Sequence, residues 1–226
     1  MKRFCIVFFT AAIMTAYVLV PTAPAAAADT AANAQEIVRR SGMTLDTFMA
    51  DKDLPLFREN LMKAKGVLII PEVLKAGYIW GGSGGTGVLV IRDEKSNEWS
   101  QPAFYFVGSV TFGLQIGAEN AEVVMLAMSR KAVDSLLASS LKLGGEISVA
   151  VGPTGAGMKK IVTADFISFT KAKGLYAGLS FEGSVIKTAD DLNRVYYGKE
   201  ARPIQILVQK EVTSPYSEIL RKSLPR

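Results

Sequence analysis

The sequence predicts an α+β fold in which N-terminal amphipathic helices pack on, or cap, a highly curved or barrel-like antiparallel sheet that is rich in glycine. Near the N-terminus, apolar residues recur at the spacing of one helix face. Beyond residue 66, short runs alternate between apolar and polar residues, as half-buried strands do. Glycines interrupt those runs every few residues, which is typical of a sheet that bends sharply.

Two helices are predicted before the sheet. In the first, over residues 34–49, Ser41 lies inside the apolar stripe and Gly42 is a point where the helix could bend. The second has Asp53 as its N-cap, Pro55 in its first turn and Gly66 as its end. The apolar stripe of the first helix consists of Ala34, Ile37, Val38, Leu45, Phe48 and Met49, and the buried row of the second consists of Leu54, Phe57, Leu61 and Ala64.

Strands are predicted for most of the remaining chain. In the longest, Phe104 and Phe106 begin an apolar face, whereas the opposite face is mostly small or polar. A short helix over residues 129–139 interrupts the strands, with Ala132, Val133, Leu136 and Leu137 directed inward. The predicted strands are residues 67–70, 78–80, 88–92, 104–117, 121–128, 146–151, 164–170 and 175–186.

A glycine-rich segment, residues 81–87, matches two catalytic patterns, and both are rejected. The dinucleotide-binding pattern GxGxxG requires a helix next, but residues 88–92 read as a strand. The pattern GxSxG around Ser83 requires a histidine partner, and the chain has no histidine. We therefore interpret the segment as a glycine-rich hairpin and Ser83 as a turn residue.

The N-terminus has the pattern of a secretory signal. Lys2 and Arg3 precede an apolar run over residues 4–20, and small residues then lead to a cleavage site after Ala28. A retained membrane anchor is the alternative, although the run is short for a spanning helix. The sequence thus predicts a signal peptide, residues 1–28, followed by one domain, residues 29–226. We expect the protein in the periplasm or cell envelope, or outside the cell.

The residue types exclude several kinds of chemistry. There is no histidine, and cleavage would remove Cys5, the only cysteine. Zinc sites built from histidine and cysteine, serine triads and thiol nucleophiles are thereby excluded, and we expect no metal and no cofactor. One enzymatic alternative remains. Asp165 and Glu182, on neighbouring predicted strands, could act as general acid and base, or each could cap, pair with lysine or face solvent.

The chain is mildly basic. Its formal net charge is +5, and without Lys2 and Arg3 the 24 basic and 21 acidic residues leave +3, too little to indicate nucleic-acid binding. Basic residues beside an amphipathic helix favour an anionic membrane surface, each contributing about 1 kcal/mol near the headgroups. The alternative is the solvated face of a soluble protein. The basic pairs are Arg39 and Arg40, Lys63 and Lys65, Arg130 and Lys131, Lys159 and Lys160, and Lys171 and Lys173.

Seven segments of the chain, in this order, resemble the SYLF family, which binds membrane lipids and, in some eukaryotic members, actin. They are MKAKGVLIIPEV (residues 62–73), GGSGGTGVLVIRD (81–93), WSQPAFYFVG (99–108), FGLQIGAE (112–119), SVAVGPTGAG (148–157), ADFISFTKAKGLYAGLSFEG (164–183) and NRVYYG (193–198).

The resemblance implies lipid binding by basic surface residues and by an N-terminal amphipathic helix. The basic candidates are Arg39, Arg40, Lys63, Lys65, Lys171 and Lys173, and the candidates for insertion into the membrane are Ile37, Val38, Phe48 and Met49. Eukaryotic relatives would meet phosphoinositides and actin. An exported member would instead meet phosphatidylglycerol, cardiolipin or another anionic envelope lipid.

The leading hypothesis is therefore a non-enzymatic, peripheral protein that binds anionic phospholipid. A second hypothesis is an exported structural or protein-interaction module whose first helix is docked in its own core. The third is a hydrolase that uses Asp165 and Glu182.

Overall fold

The structure is a computed structural model, and it describes residues 31–54, 56–77, 80–112, 117–152, 164–173 and 181–225. The predicted signal peptide, residues 1–28, lies outside the described residues. The helices are α1 (Ala31–Ala50), α2 (Phe57–Lys63), α3 (Arg130–Leu136), α4 (Asp190–Tyr197), α5 (Pro203–Leu207) and α6 (Glu218–Ser223), with a 3₁₀ turn at Pro215–Ser217. The strands are β1 (Gly66–Gly77), β2 (Trp80–Ile91), β3 (Ala103–Phe112), β4 (Gly117–Ala127), β5 (Ser140–Lys142), β6 (Val149–Val151), β7 (Phe166–Lys173) and β8 (Val185–Thr188).

The strands form one strongly curled sheet in the order β5-β8-β3-β2-β1-β4-β7-β6, which confirms the predicted α+β class with a curved sheet. All pairs are antiparallel except β6 with β7. The predicted strand over residues 104–117 is in fact two elements, because β3 ends at Phe112 and β4 begins at Gly117 on the far side of β1 and β2. Of the predicted strand over residues 175–186, residues 175–180 lie outside the described residues, and in the rest only the last two residues belong to a strand, β8.

Both faces of the sheet are covered, so the predicted division into one apolar and one polar face was wrong for β3. Phe104 packs into a core beneath α1, α2, α4 and α6, while Tyr105 and Val107 pack into a second core on the opposite face with α3 and α5. Phe106, predicted as part of the apolar face, is 46% exposed. Helices on both sides explain the burial of Tyr105 and Val107, because a strand covered on both faces loses the strict alternation of apolar and polar residues.

The glycine-rich segment is a strand, not the predicted hairpin. Residues 81–87 belong to β2 and pair with both β1 and β3, and Ser83 faces Ser109 with 2.7 Å between the hydroxyl oxygens. The glycines accommodate a bulge in β1, where the pairing register shifts between Ile69 and Leu74. A Cβ on Gly85 would lie 2.3 Å from the carbonyl oxygen of Glu72, and one on Gly87 would lie 2.2 Å from that of Ile69. The glycines thus allow close approach of two backbones.

The two predicted N-terminal helices are confirmed with small changes in their bounds. The second begins at Phe57, and its N-cap position is Leu56, not Asp53. Its predicted buried row is confirmed, since Leu54, Phe57, Leu61 and Ala64 are all at most 5% exposed. The short helix is confirmed as α3, with Ser129 as its N-cap. Helices α4, α5 and α6 were not predicted from the sequence.

Helix α1 lies against β1 and β2 and is held from outside by the C-terminal segment. Helices α1 and α6 pack closely at Gly42, where a Cβ would lie in ordinary van der Waals contact, 3.5 Å from the carbonyl oxygen of Ile219. At its end, the same segment is fixed to the loop after β2, where the indole Nε1 of Trp99 donates to the carbonyl oxygen of Pro225 at 2.7 Å. Within the part of the chain described here, every helix is too short or too polar to cross a membrane.

Candidate functional site

The predicted lipid-binding residues whose side chains are described are each paired with a carboxylate. The side chain of Lys173 lies outside the described residues. The other five do not form a single patch, because they lie on α1, at the end of α2 and on β7. Their partners and distances are Arg39 with Glu36 at 2.6 Å, Arg40 with Glu72 at 2.7 Å, Lys63 with Glu59 at 2.6 Å, Lys65 with Glu94 at 3.3 Å and Lys171 with Asp51 at 2.6 Å.

Two of these pairs fasten α1 to the sheet. Arg40 contacts Glu72 on β1, and the other carboxylate oxygen of Glu72 accepts a hydrogen bond from Asn120 on β4. The hydrogen bond from Arg40 is the main reason that the pKa of Glu72 lies below its usual value. Lys171 on β7 similarly lowers the pKa of Asp51, which follows the end of α1. Arg40 and Lys171 therefore have a structural role that occupies them.

The residues predicted to enter the membrane face the protein core in this structure. Val38 is 0% exposed and Phe48 is 1% exposed, and both pack with the apolar residues beneath α1. Ile37 and Met49 are half-buried against the same cluster. The ring of Phe48 also lies 5.4 Å from that of Phe57 between ring centres, which joins α1 to α2. Insertion into lipid would require α1 to leave this position.

Lys63 and Lys65, at the end of α2, lie beside two further cations. With Arg92 they line a cleft of about 350 Å³ between the end of α2 and the loop after β2. Glu94, in that loop, has a carboxylate oxygen 3.3 Å from Lys65 and 3.7 Å from Arg130, so one carboxylate is shared by two cations. We call Lys63, Lys65, Arg92 and Arg130 the basic cluster.

Arg92 and Arg130 are the members of the basic cluster that were not among the predicted lipid-binding residues, and Arg92 does not belong to any of the basic pairs either. Arg92 has mainly neutral contacts. Its guanidinium donates to the neutral oxygens of Met62, Asn97 and Pro225 at 3.2–3.4 Å and lies 4.5 Å from the ring centre of Trp99. Among the ion pairs found in the described residues, none includes Arg92. Burial lowers its pKa, but arginine keeps its charge at neutral pH.

Arg92 has no basic residue next to it in the sequence, so it does not stand out as part of a basic pair. Its position directly after β2, opposite the residues before β1, is the signal that could have placed it beside Lys65. In the structure, the backbone N–H of Arg92 donates to the carbonyl oxygen of Lys65 at 2.8 Å. A correct pairing of these two strands is needed before the cluster can be recognised.

Carboxylates beside the basic cluster are already engaged by cations or by the backbone. Asp93, which also lines the cleft, lies 2.7 Å from Lys210 and accepts hydrogen bonds from the backbone of Lys95 and Ser96. These contacts, led by the one from Lys210, hold the pKa of Asp93 well below its usual range. Because Asp93 is neutralised by Lys210, and Arg92 has no carboxylate partner among the described residues, the cleft retains a positive charge.

The expectation that Asp165 and Glu182 lie on neighbouring strands, on which the alternative of an acid–base pair depends, was wrong. The strand that follows Asp165, β7, pairs with β4 and β6, whereas the strand that follows Glu182, β8, pairs with β3 and β5 at the other side of the sheet. Asp165 accepts hydrogen bonds from the hydroxyls of Ser129 at 2.7 Å and Ser148 at 2.9 Å. These bonds, chiefly that from Ser129, lower the pKa of Asp165, which is opposite to what a general acid needs.

The described residues contain no group of three side chains that could hold a metal ion. Among the predicted binding residues, Lys63 and Lys65 of the basic cluster are the ones that line a cleft together.

Comparisons with known proteins agree on a family. The family model Ysc84, described as "Las17-binding protein actin regulator", matches residues 108–224. Protein YSC84 of Saccharomyces cerevisiae is 32% identical over 198 residues, which are 84% of this chain and 42% of that protein. Human SH3 domain-containing YSC84-like protein 1 is 33% identical over 177 residues, 76% of this chain and 48% of that protein.

LAS seventeen-binding protein 3 of Saccharomyces cerevisiae is 34% identical over 167 residues, 71% of this chain and 36% of that protein. The chain thus spans about half, or less, of the length of these relatives. No solved structure matches the chain.

Proposed function

Because the chain belongs to the Ysc84 family, the SYLF family of the sequence resemblance, we propose that it is a non-catalytic module that binds anionic phospholipid surfaces through the basic cluster. The observation that carries the proposal is that Lys63, Lys65 and Arg92 line one cleft, while Arg130 lies 3.7 Å from Glu94, the carboxylate that Lys65 also contacts, and pairs with Asp134 at 2.9 Å. Each cation near the headgroups contributes about 1 kcal/mol of attraction to an anionic surface.

Helix α1 remains docked in this proposal. Its apolar residues already stabilise the protein core, and the pairs of Arg40 with Glu72 and of Lys171 with Asp51 hold it there. Moving α1 into a membrane would expose the core beneath it at a cost of several kcal/mol, since each large apolar side chain contributes about 1.5–3 kcal/mol when buried. The protein therefore binds the membrane by electrostatic attraction at the headgroup surface, without insertion of α1, and the binding weakens as the salt concentration rises.

The lipid follows from the location that the N-terminal pattern favours. With a secretory signal over residues 1–28, the surface available to the mature chain is that of the cell envelope. The proposed ligand is an anionic envelope phospholipid, such as phosphatidylglycerol or cardiolipin.

The test is co-sedimentation with vesicles of phosphatidylcholine alone and of phosphatidylcholine with phosphatidylglycerol, at low and high salt. We expect salt-sensitive binding to the anionic vesicles only. The double variant Lys63→Glu/Lys65→Glu should bind at least about tenfold more weakly, because it reverses two charges at the cleft. A matched control is Lys142→Glu/Lys187→Glu, which makes the same change in net charge at the exposed β5–β8 edge of the sheet.

Equal losses in the two double variants would indicate a general effect of net charge and would contradict a site at the basic cluster. Wild-type protein that stays in the supernatant with anionic vesicles at low salt would contradict lipid binding altogether.

A second candidate function is protein binding, and the docked position of α1 favours it, because a helix fixed in the core serves a rigid interaction module. The names of the relatives, which refer to Las17 binding and to actin regulation, point to the same class. Co-sedimentation with actin filaments tests it in the same apparatus. If the protein binds actin filaments but does not bind anionic vesicles, protein binding replaces lipid binding as the proposed function.

A further inference from the structure

A groove runs between the N-terminal half of α1 and the C-terminal segment that crosses it. Its volume is about 620 Å³, and its walls include Ala32, Glu36 and Arg39 on one side and Tyr216, Ile219 and Lys222 on the other. The groove does not share residues with the basic cluster, so what it binds is independent of the proposed lipid site.

Large apolar side chains are exposed along this groove. Tyr216 is 54% exposed and Ile219 is 47% exposed, and both line it. Met43, one turn after Arg39 on α1, is 53% exposed, and its sulfur is 2.9 Å from a guanidinium nitrogen of Arg39, which lines the groove. Scattered apolar side chains on a surface are ordinary, but a contiguous strip in a groove between polar rims is typical of an interaction site.

The charges on the two rims have a pattern that identifies the occupant. The rim on α1 carries Glu36 and Arg39, 2.6 Å apart, and the rim on α6 carries Glu218 and Lys222, 3.2 Å apart. Each rim therefore has one carboxylate and one cation. Both pairs are largely exposed, and exposed pairs contribute only about 0–1 kcal/mol, so their members can exchange partners at little cost.

We propose that a second copy of this chain occupies the groove. In a dimer with twofold symmetry the same surface of each copy meets the other, so α6 of each copy lies against α1 of its neighbour. Tyr216 and Ile219 of each copy then fill the neighbour's groove. Glu218 pairs with Arg39 and Lys222 pairs with Glu36 across the interface, and each of these pairs occurs twice.

The two-signed pattern fits a second copy because it is self-complementary. A partner of a single charge sign would meet attraction from one member of each rim and repulsion from the other. Like charges that face one another across an interface disfavour the wrong partner, and alternating charges select the matching surface.

The test is sedimentation velocity on protein purified from cells that express the full chain, over a range of micromolar concentrations. We expect a monomer–dimer equilibrium in wild-type protein. Ile219→Asp should remain monomeric at every concentration, because it places a charge in the apolar strip. The matched control is Val208→Asp after α5, where the side chain is 43% exposed away from the groove, and it should still form dimers.

A charge exchange tests the arrangement itself. Arg39→Glu and Glu218→Lys should each weaken the dimer by about tenfold or more. The double variant Arg39→Glu/Glu218→Lys should recover most of the loss, because the pair between positions 39 and 218 is restored with reversed charges at both of its occurrences in the dimer. Circular dichroism melting of each variant verifies that it is folded.

A wild-type protein that is monomeric throughout overturns the proposal. So does a dimer that survives Ile219→Asp, because it must use another surface. Neither result bears on lipid binding, which is measured on vesicles with variants at the basic cluster.

Discussion

At Asp165, a carboxylate that could have been catalytic is used as a structural connector. Its two oxygens accept hydrogen bonds from Ser129, the N-cap of α3, and from both the hydroxyl and the backbone N–H of Ser148, before β6. One side chain thereby joins the start of a helix to two strands. The position of a carboxylate in a sequence does not reveal such a role, since both serines are distant along the chain.

We expect Asp165→Asn to lower the free energy of unfolding by about 1–2 kcal/mol at neutral pH, because an amide N–H₂ group replaces an acceptor that faces hydrogen-bond donors. The pKa of Asp165 is lower in the folded protein, so its carboxylate stabilises the fold fully above its unfolded pKa, near 4. That contribution is lost as the pH falls through the folded pKa. Urea unfolding at several pH values should therefore show the two proteins converging in acid.

The control for Asp165→Asn is Asp134→Asn. Asp134 forms an exposed pair with Arg130 at 2.9 Å on the surface of α3, and such pairs contribute little. If Asp165→Asn unfolds at the same urea concentration as wild type at neutral pH, the connecting role is wrong.

At the scale of elements, the sequence of α1 predicts an amphipathic helix, but it does not show whether the apolar face contacts a membrane or the protein core. Its apolar stripe has the same spacing whether it faces a membrane or a protein core. Val38 and Phe48 are in fact buried, and Thr44, which lies between them, donates a hydrogen bond to Glu122 on β4 at 2.7 Å. The amphipathic pattern was thus correctly recognised, and the sheet decides what the apolar face contacts.

Phe48→Ala tests the docked position of α1. The ring packs at 1% exposure, so its removal should lower the free energy of unfolding by about 3–5 kcal/mol. Met43→Ala on the same helix serves as the control, because Met43 is 53% exposed and its replacement should cost less than about 0.5 kcal/mol. Equal and small effects in urea unfolding would indicate that α1 is not part of the folded core.

For the whole molecule, the C-terminal segment completes the structure by joining elements that are remote in sequence. Leu220 and Leu224 are buried in the core beneath α1, and Tyr196 on α4 is 3.0 Å from Ser217 between hydroxyl oxygens. The carbonyl oxygen of Pro225 accepts hydrogen bonds from both Trp99 and Arg92. The segment therefore connects α1, α4 and the loop that carries Arg92.

A chain that ends at Ser223 should unfold about 2–4 kcal/mol more easily, since it loses the buried side chain of Leu224 and the acceptor at Pro225. Trp99 should become more exposed, which shifts its fluorescence emission to longer wavelength. The measurement uses a Trp80→Phe background, because the chain has two tryptophans. Lys222→Ala, at a side chain that is 73% exposed, is the control, and unchanged emission in the shortened chain would contradict this role.

The sequence by itself determined the class of the fold, its two N-terminal helices and the curvature of its sheet. Helical spacing identified α1 and α2, alternation and glycines indicated a curved antiparallel sheet, and the lack of histidine excluded whole classes of active site. These features are local, because the period of apolar residues within one element reflects the geometry of that element alone. The C-terminal helices were missed, since their short lengths leave too few residues to establish a period.

Only the tertiary structure decided which face of each element is buried and which charges meet. It placed Phe106 in solvent, converted the expected glycine hairpin into a central strand against the bulge in β1, and gave Arg40 and Lys171 carboxylate partners from distant parts of the chain. It also brought Arg92 beside Lys65. Burial and ion pairing depend on contacts between residues far apart in sequence, and no local pattern of residues specifies those contacts.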